Sequence, residues 1–382
     1  MRPDRIAAIV GVAESDLGVT PGKTALQLQA QAAKAALADA GLEKNDVDAL
    51  FTAGNWAWSP NLMLAEYLGI QPRYADGTNI GGSSFEAHLG HALAGIEAGR
   101  FEVALITYGS TQRSDQSRNR PANHATLVEQ FERPYGLPAP VGAYALAAMR
   151  HMYQYGTTSE QLAEIAVATR KWAMMNEKAM MRTPITIEDV LSSRWIAEPL
   201  HLLDCCLVTD GGGAVVVASA RRVGSTRKKP VWVLGHGEML THYGITNMPD
   251  LTVTGAVQSG QAAFAMAGVR HEDIDVVEIY DSFTITVLLT LEALGFCQPG
   301  EGGAFASDQR TAPGGAFPMN TNGGGLSYCH PGMYGIFLLI EATRQLRGEC
   351  GPRQVPDAKI ALAHGTGGVL SSSATIILGR DA

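Results

Sequence analysis

Residues 320–335 bring together the residue types that could do chemistry. They read NTNGGGLSYCHPGMYG and combine five glycines with one histidine, one cysteine and two tyrosines. The apolar, helix-like segment IFLLIEATRQL follows directly, and a glycine-rich loop ahead of a helix presents backbone N–H groups at the positive end of the helix dipole. The stretch predicts a site for an anion or for developing negative charge. The alternative is a glycine-rich turn that carries an ordinary histidine.

Cys329 lies inside this stretch, beside His330, and is a candidate nucleophile. A neighbouring histidine can lower the pKa of a thiol, whereas a small buried thiol is the alternative. The chain has five cysteines, and the other four precede a buried-looking strand or lie at helix-end turns: Cys205, Cys206, Cys297 and Cys350. An odd number of cysteines without disulfide-like spacing predicts a reducing cytoplasm.

Composition and charge describe a globular protein with a large core. The chain has 382 residues, of which 46% are hydrophobic and 17% charged, and this length favours two domains or two halves. The net charge of −8 argues against nucleic acid as a main partner, because phosphate binding needs clustered Lys and Arg. No apolar run approaches the roughly 20 residues of a membrane helix. We therefore expect a soluble cytoplasmic protein that does not bind nucleic acid or membranes.

Two distant segments of the chain share one pattern. KAALADAGLEKNDVDALFTAG matches GQAAFAMAGVRHEDIDVVEIYDS, with Gly41 and Gly268 among the identities at an offset of 268 − 41 = 227. A strand-like segment precedes each copy, and a glycine-rich turn, a helix and a strand follow each copy. Strands that alternate with helices predict an α/β fold of layered sheets covered by helices.

The duplication predicts an N-terminal half, residues 1–222, and a C-terminal half, residues 223–382. The extra length of the first half lies in residues 110–199, which we interpret as an insertion. Helices are predicted within it at 141–155 and 159–176. Its methionines can repack around variable shapes and could cover a substrate channel, whereas a Met-filled helical core is the alternative.

Three motifs resemble the thiolase family, and in particular its sterol-carrier-protein type. PLHLLDCCLVTDGGGAVVV (199–217) resembles the segment that ends the first half of thiolases. EIYDSFTITVLLTLEALGFCQPGEGGAF (278–305) is similar to the His-Asp-Cys-Phe segment, with Tyr280 and Asp281 in place of His-Asp. NTNGGGLSYCHPGMYG resembles the Asn…Gly-Gly-Leu…Gly-His-Pro loop. The motifs follow the family order, and with the duplication the resemblance covers essentially the whole chain.

The resemblance implies the thiolase fold, in which two duplicated α/β halves form α-β-α-β-α layers. It places the insertion over the active site and implies a homodimer that pairs through the first-half sheet. It also implies a coenzyme A thioester as the substrate, with no bound cofactor. The chemistry of the family needs a cysteine nucleophile at the start of a helix, a histidine to activate it, and donors for the oxyanion or enolate.

The chain departs from the family pattern at most of these positions. Alignment on the helix end AGIEAG puts Gly82 where the nucleophilic cysteine is expected. Its neighbour Ser83 is predicted to form a capping box with Glu86, and a serine nucleophile is the alternative. His364 lies where many thiolases carry their second cysteine. His330 is the family catalytic residue that survives.

A thiolase scaffold without its cysteine resembles the superfamily aldolases that cleave sterol side chains. Retro-aldol cleavage of a β-hydroxyacyl-CoA needs a base for the hydroxyl proton and donors for the enolate. The candidate proton carriers are Tyr280, Tyr328 and Tyr334. Since the reference pKa of tyrosine is about 10, such a base needs nearby positive charge or donors, which His330 could supply. The alternative for each tyrosine is a packed aromatic ring whose hydroxyl is satisfied.

The candidate oxyanion and enolate donors are backbone groups near Gly82, Ser83 and Gly367. Asp281 and His364 are further site candidates, because they occupy family positions. No metal site is predicted, since the histidines at helical i, i+3 spacing have no evident third ligand.

Two other functions remain open from the sequence. One is a thiolase-type acyltransferase that uses Cys329 or a serine, and the other is a non-catalytic scaffold that binds acyl-CoA or stabilises a partner subunit. The aldolase resemblance also implies a small partner with a zinc ribbon and an OB fold, in a heterotetramer. Neither the acyl chain nor the direction of the reaction follows from the residues.

Overall fold

The computed structural model describes residues 5–54, 57–115 and 126–380. Within these ranges, the strands are β1 (Ala7–Glu14), β2 (Ala49–Thr52), β3 (Tyr74–Asp76), β4 (Val103–Ser110), β5 (Trp195–Ala197), β6 (Leu200–His201), β7 (Gly211–Ser219), β8 (Val231–Leu240), β9 (Val276–Ile279), β10 (Ile360–Gly367) and β11 (Ser372–Gly379). The helices are α1 (Ala25–Ala40), α2 (Pro60–Leu68), α3 (Ser84–Glu97), α4 (Leu127–Phe131), α5 (Val141–Tyr155), α6 (Ser159–Met174), α7 (Ile187–Ser192), α8 (Ala220–Val223), α9 (Ala256–Ala267), α10 (Thr284–Ala293), α11 (Gly302–Ala306) and α12 (Gly335–Arg347).

Local sequence signals account for the ends of the repeated helices. Thr24 caps α1 in a capping box with Gln27, and Gly41 ends the helix at φ 72°. Gly268 ends α9 in the same left-handed conformation, at φ 64°. A left-handed residue is strained for anything larger than glycine, so both copies of the pattern stop at the same point.

The large sheet repeats one strand order on either side of its centre. Its order is β3-β2-β4-β7-β1-β8-β11-β10-β9, and β1 joins β8 through two residue pairs. Read outward from the centre, β1-β7-β4-β2 corresponds to β8-β11-β10-β9. A parallel bridge between Val277 and Met319 takes the place of β3 in the second half. The duplication that the sequence predicts is present in the topology, and the boundaries 1–222 and 223–382 stay a prediction.

Helices lie on both outer faces of the strands and between the two sets of strands. α1 packs on β1, β4 and β7, and α9 packs on β8 and β11. α3 and α12 each contact strands of both halves, so they lie between them. Three buried clusters fill the two outer interfaces and the central one. The predicted α-β-α-β-α layering is confirmed.

The insertion contains the two helices that the sequence predicts. α5 has the predicted bounds, and α6 ends at Met174, two residues earlier than expected. The segment after α6 pairs with the glycine-rich stretch, since Met180 N–H donates to the Tyr328 carbonyl at 3.0 Å. The insertion is therefore fastened to the residues that it was expected to cover.

α10 is buried along almost its whole length. It has ten residues, about half of what a bilayer requires. In the part of the chain that the structure describes, no helix is long and apolar enough to cross a membrane.

Candidate active site

A cavity of about 300 Å³ opens between the two halves and the insertion. Its walls come from the turn before α3, the insertion, the segment after β9, the glycine-rich stretch and the end of β10. A concave site with apolar walls and a few convergent polar groups is the usual setting for binding a small molecule. The predicted site residues divide into those that reach this cavity and those that do not.

Tyr280 and His330 form a hydrogen-bonded pair in the cavity wall. The Tyr280 hydroxyl lies 2.8 Å from His330 Nε2, and the rings meet edge to face at 5.6 Å. Burial raises the pKa of Tyr280 well above its usual value, so the phenol is protonated at neutral pH. If the phenol donates to Nε2, the histidine carries its own proton on Nδ1. The pair can then pass a proton from the cavity through the phenol to the imidazole.

The backbone around His330 is held from two sides. His330 N–H donates to Thr209 Oγ1 at 3.0 Å, and Thr209 N–H donates back to the His330 carbonyl at 3.2 Å. On the other side, the Tyr108 hydroxyl donates to the Pro331 carbonyl at 2.6 Å and accepts from Met333 N–H at 3.2 Å. These contacts fix the backbone that carries the imidazole, and none of them involves the ring atoms.

Asp210 anchors the start of the insertion next to this support. Its buried carboxylate accepts from the backbone N–H groups of Thr20, Arg113 and Ser114 at 2.7, 2.8 and 2.9 Å. The hydroxyls of Thr20 and Ser114 donate to it as well. The Thr-Asp pair of the 199–217 motif therefore has two structural roles, since Thr209 holds the glycine-rich stretch at His330 and Asp210 holds the start of the insertion.

Gly82 lies in the 3₁₀ turn just before α3, where a side chain has no room. A Cβ atom there would overlap the Tyr280 ring and would lie 2.5 Å from the Thr366 carbonyl oxygen. Gly82 and Gly367 both face the cavity. The first N–H groups of a helix lack intrahelical acceptors, so this turn can offer donors to a bound oxygen.

Ser83 does not face the cavity, and its predicted capping box is wrong. Its hydroxyl lies 2.7 Å from Ser372 Oγ and donates to the Ile80 carbonyl at 3.3 Å. The backbone of Ser83 is already helical, at φ −78° and ψ −2°, and its side chain caps nothing. A 3₁₀ turn at Gly81–Ser83 precedes α3, and it moves the true start of the helical backbone ahead of the serine.

Tyr328 and Tyr334 lie outside the cavity lining. The Tyr328 hydroxyl donates to Glu14 Oε1 at 3.0 Å, inside an ion pair with Arg344. The Tyr334 hydroxyl donates to Asn322 Oδ1 at 2.8 Å, while its ring meets Tyr280 edge to face at 5.7 Å. Of the three tyrosines, the structure brings only Tyr280 to the cavity, and Tyr334 supports it from behind.

Asp281 and His364 are buried beneath the site. Asp281 accepts from the Gly325 and Leu326 N–H groups at 2.6 and 3.1 Å, and burial raises its pKa to about 7. His364 bonds Thr375 Oγ1 at 2.9 Å, and burial lowers its pKa to about 3. Asp281 thus holds the backbone of the glycine-rich stretch. The backbone carbonyl of His364 accepts from Tyr280 N–H at 2.9 Å, so His364 positions the backbone of Tyr280.

Comparison with known proteins gives consistent matches over the chain. The family description "Thiolase C-terminal domain-like" matches residues 237–380. A steroid side-chain-cleaving aldolase of Thermomonospora curvata is 36% identical, with 98% of each chain covered. An acetyl-CoA acetyltransferase of Methanothermobacter thermautotrophicus is 32% identical over 98% of this chain and 100% of the relative. The solved structure named Ltp2-ChsH2(DUF35) aldolase has TM-score 0.91 and 34% identity, covering 100% of this chain and 99% of that one.

The chain belongs to the thiolase superfamily.

One position of the site departs from the thiolase pattern that the sequence resembles. The cysteine that the thiolase resemblance leads one to expect is Gly82, and the Tyr280 ring occupies the space that a side chain there would need. The ring of Tyr280 thus lies where the thiolase resemblance leads one to expect a side chain at position 82.

The cysteine that reaches the cavity of this thiolase-fold protein is not the predicted one. Cys329 is fully buried, and burial raises its pKa well above the usual value, so it is a poor nucleophile where it lies. Cys206 is partly exposed and lines the cavity. Its position ahead of a buried strand predicts a core thiol, but its backbone N–H donates to the Ser282 carbonyl in the cavity wall at 3.0 Å.

Tyr144 is a second cavity residue that sequence reasoning missed. It lies on α5, its ring packs on Phe283 at 4.4 Å, and its hydroxyl donates to the Gly368 carbonyl at 3.2 Å. Pro140 and Gln112 also reach the cavity from the insertion. The 110–199 insertion therefore contributes to the wall of the thiolase-type site. Nothing in the spacing of Tyr144 distinguishes it from a core residue of a helix.

Proposed function

We propose that this protein cleaves a β-hydroxyacyl-CoA by a retro-aldol reaction, releasing an aldehyde or ketone and a shortened acyl-CoA. The observation that carries the proposal is the Tyr280–His330 pair in the cavity wall, at 2.8 Å, beside a glycine where an acyl-accepting cysteine would be. The 36% identity to a steroid side-chain-cleaving aldolase supports it.

The first step moves the proton of the substrate hydroxyl. That proton passes to Tyr280 Oη as the phenol gives its own to His330 Nε2, which becomes an imidazolium. The relay avoids a free phenolate, which the raised pKa of Tyr280 disfavours. The electrons of the former O–H bond form the product carbonyl, and the bond between the α and β carbons breaks.

The second step stabilises and quenches the thioester enolate. The electron pair of the broken bond becomes the enolate, whose oxygen would accept from backbone N–H groups near Gly82 and Gly367. Preorganised donors of this kind are worth about 3–4 kcal/mol each in acyl-transfer enzymes. The imidazolium then returns its proton through Tyr280 to the α carbon, which yields the shortened acyl-CoA and restores the resting pair.

The acyl group we propose first is steroid-derived, because the aldolase relative is named for steroid side chains. The cavity is at the small end of ligand sites, so it would hold the reacting carbons while the rest of the acyl chain extends outward. An aliphatic or aromatic acyl group is the alternative.

The test is product analysis by mass spectrometry on β-hydroxyacyl-CoAs without free CoA and on β-ketoacyl-CoAs with it. We expect the wild type to cleave the first panel only. Tyr280→Phe and His330→Ala should each lower kcat/KM by about 10²-fold or more, the usual contribution of a proton-transfer group. Tyr328→Phe is the matched control, since its hydroxyl bonds Glu14. Equal losses in Tyr328→Phe and Tyr280→Phe would contradict the assignment.

An acyltransferase is the second candidate, because Cys206 lines the cavity and an acetyl-CoA acetyltransferase is 32% identical. CoA-dependent cleavage of the β-ketoacyl panel, with rapid iodoacetamide labelling of Cys206, would replace the aldolase proposal. Turnover of neither panel would favour a scaffold that binds acyl-CoA without catalysis.

We also propose a homodimer and a second, small subunit. β3 lies at the edge of the sheet, and the neighbouring α2 carries the exposed side chains Leu62, Met63 and Tyr67, which suits pairing of first halves. The similar solved aldolase is named as Ltp2 with ChsH2(DUF35), which supports a partner such as the predicted zinc-ribbon and OB-fold protein. Light scattering measures the mass of the protein alone and after co-expression with the candidate partner. A monomeric mass in both samples would contradict the homodimer and the complex.

A further inference from the structure

Glu86, in the first turn of α3, is a buried carboxyl that takes no part in the reaction above. Its side chain has no solvent exposure. Within the described residues, neither of its carboxyl oxygens meets a hydrogen-bond partner. An ionised carboxylate loses its hydration on burial, so such groups are paired or kept neutral.

Two glycines create the space that Glu86 fills. A Cβ on Gly365 in β10 would overlap Oε2 of Glu86 and would lie 2.7 Å from Cδ. A Cβ on Gly335 at the start of α12 would also overlap Oε2 and would lie 2.8 Å from Oε1. Real Cβ atoms do not approach other atoms this closely, so the carboxyl fits only because both positions are glycine. It fills the space between α3, α12 and β10, and we call the Glu86 carboxyl the wedge.

The carboxyl of Glu86 lies close to the backbone of the cavity wall. The same Cβ position on Gly335 would overlap the carbonyl oxygen of Gly82, and Gly365 leads directly into the cavity residues Thr366 and Gly367. A negative charge on Glu86 would therefore lie just behind the place where the enolate oxygen is proposed to gather charge. Two negative charges buried close together, here the Glu86 carboxylate and the enolate, repel each other strongly.

The surroundings keep Glu86 neutral. Burial raises its pKa to about 8, against a smaller effect of its own backbone N–H. None of the titratable groups on the elements packed against α3 contributes to this shift. Those groups are His88, His91 and Glu97 on α3 itself, His364 on β10, Tyr334 ahead of α12, Glu341, Arg344 and Arg347 on α12, Tyr108 on β4, His236 and Glu238 on β8, and Glu14 on β1.

We propose that Glu86 is a positioning residue that works as a neutral carboxylic acid: it keeps α3, α12 and β10 at the spacing that the cavity backbone needs, and its ionisation stops catalysis. This inference rests on the proposed retro-aldol function. It assigns the alkaline limit of the activity to a residue that does not touch the substrate.

The first test is the pH profile of Glu86→Gln, whose amide has nearly the same shape and cannot ionise. The wild-type kcat should fall above pH ~8, by about tenfold per pH unit for one ionisation. Glu86→Gln should keep most of the kcat at pH 7 and lose this fall. Glu97→Gln, an exposed carboxyl on the same helix, is the matched control and should keep the wild-type profile. An alkaline fall that persists in Glu86→Gln would overturn the proposal, as would full activity in Glu86→Ala.

A second test needs no substrate. A carboxyl whose folded pKa is raised contributes stability that is present below its unfolded pKa near ~4.3 and is lost as pH rises through about 8. The wild-type Tm should therefore fall between pH 5 and pH 9 by clearly more than that of Glu86→Gln. If the wild type cleaves no thioester while this difference is observed, the proposed function fails and the neutral wedge survives. Equal Tm profiles would overturn the wedge.

Discussion

At the scale of single residues, Gly82 and Tyr280 share one space. The tyrosine ring lies where a Cβ on residue 82 would be, and its hydroxyl is held at 2.8 Å by His330. A thiol at position 82 and a phenol at position 280 thus exclude each other by volume. We expect the chemistry of the site to follow from this exclusion, because a phenol can relay protons whereas a thiol can accept acyl groups.

Gly82→Cys is therefore expected to lose activity without gaining acyl transfer. Overpacking a close-packed site should destabilise the fold by about 1–3 kcal/mol. Urea unfolding and product analysis with β-ketoacyl-CoA measure the two effects. For stability, Gly224→Ala is the control, since its Cβ meets open space and should change the free energy of unfolding by less than about 0.5 kcal/mol. Rapid acylation of the introduced cysteine would contradict this expectation, because it would show that the Tyr280 ring can move aside.

At the scale of elements, one buried ion pair joins the parts that carry the glycine-rich stretch. Glu14 at the end of β1 pairs with Arg344 on α12 and with Lys178 in the insertion at 3.0 Å, and it accepts from the Tyr328 hydroxyl. Burial alone would raise the pKa of Glu14, yet Arg344 and Lys178 hold it well below its usual range. The glycine-rich stretch is therefore positioned by both halves and by the insertion together.

Glu14→Gln should destabilise the protein by about 3 kcal/mol at pH 7, because it leaves Arg344 buried without its counter-charge. The folded pKa of Glu14 is lowered, so its contribution is present above the unfolded pKa near ~4.3 and is lost as pH falls below it. The gap between variant and wild type in denaturant unfolding should shrink from pH 7 to pH 3. Asp16→Asn, in an exposed pair with Lys23, should cost about 1 kcal/mol or less. A gap that stays constant with pH would contradict the ion-pair account.

At the scale of the whole molecule, neither half can bury its inner face alone. α3 and α12 each pack against strands of both halves, and β1 pairs with β8 across the centre. The cavity draws its walls from both halves as well. We therefore expect cooperative folding to belong to the complete chain and not to either repeated half.

Residues 1–222 and 223–382 expressed separately are expected to stay unfolded or to aggregate, because α12 and its partner strands would expose their buried faces. A chain cut within residues 224–229, with both pieces co-expressed, should reassemble. Circular dichroism and co-purification measure this. Cooperative unfolding of either half alone would show that the halves are independent domains.

Local chemistry made much of the fold predictable from sequence. Periodic apolar residues, the caps at Thr24 and Gly41, and the repeated pattern depend on neighbours within a few turns, so the α/β halves and the helices α5 and α6 could be derived without the structure. Gly82 and His330 became candidates through the family motifs, because their positions could be aligned. These are properties that a linear sequence carries.

Only the tertiary structure decided where side chains point. Tyr280 reaches the cavity while Tyr328 turns to Glu14, and Cys206 faces the cavity while Cys329 is buried. Each of these outcomes depends on contacts between residues far apart in the chain, and the local sequence around each tyrosine does not tell where its ring points. The same holds for the carboxyl of Glu86, whose place between Gly335 and Gly365 exists only once the halves have closed on each other.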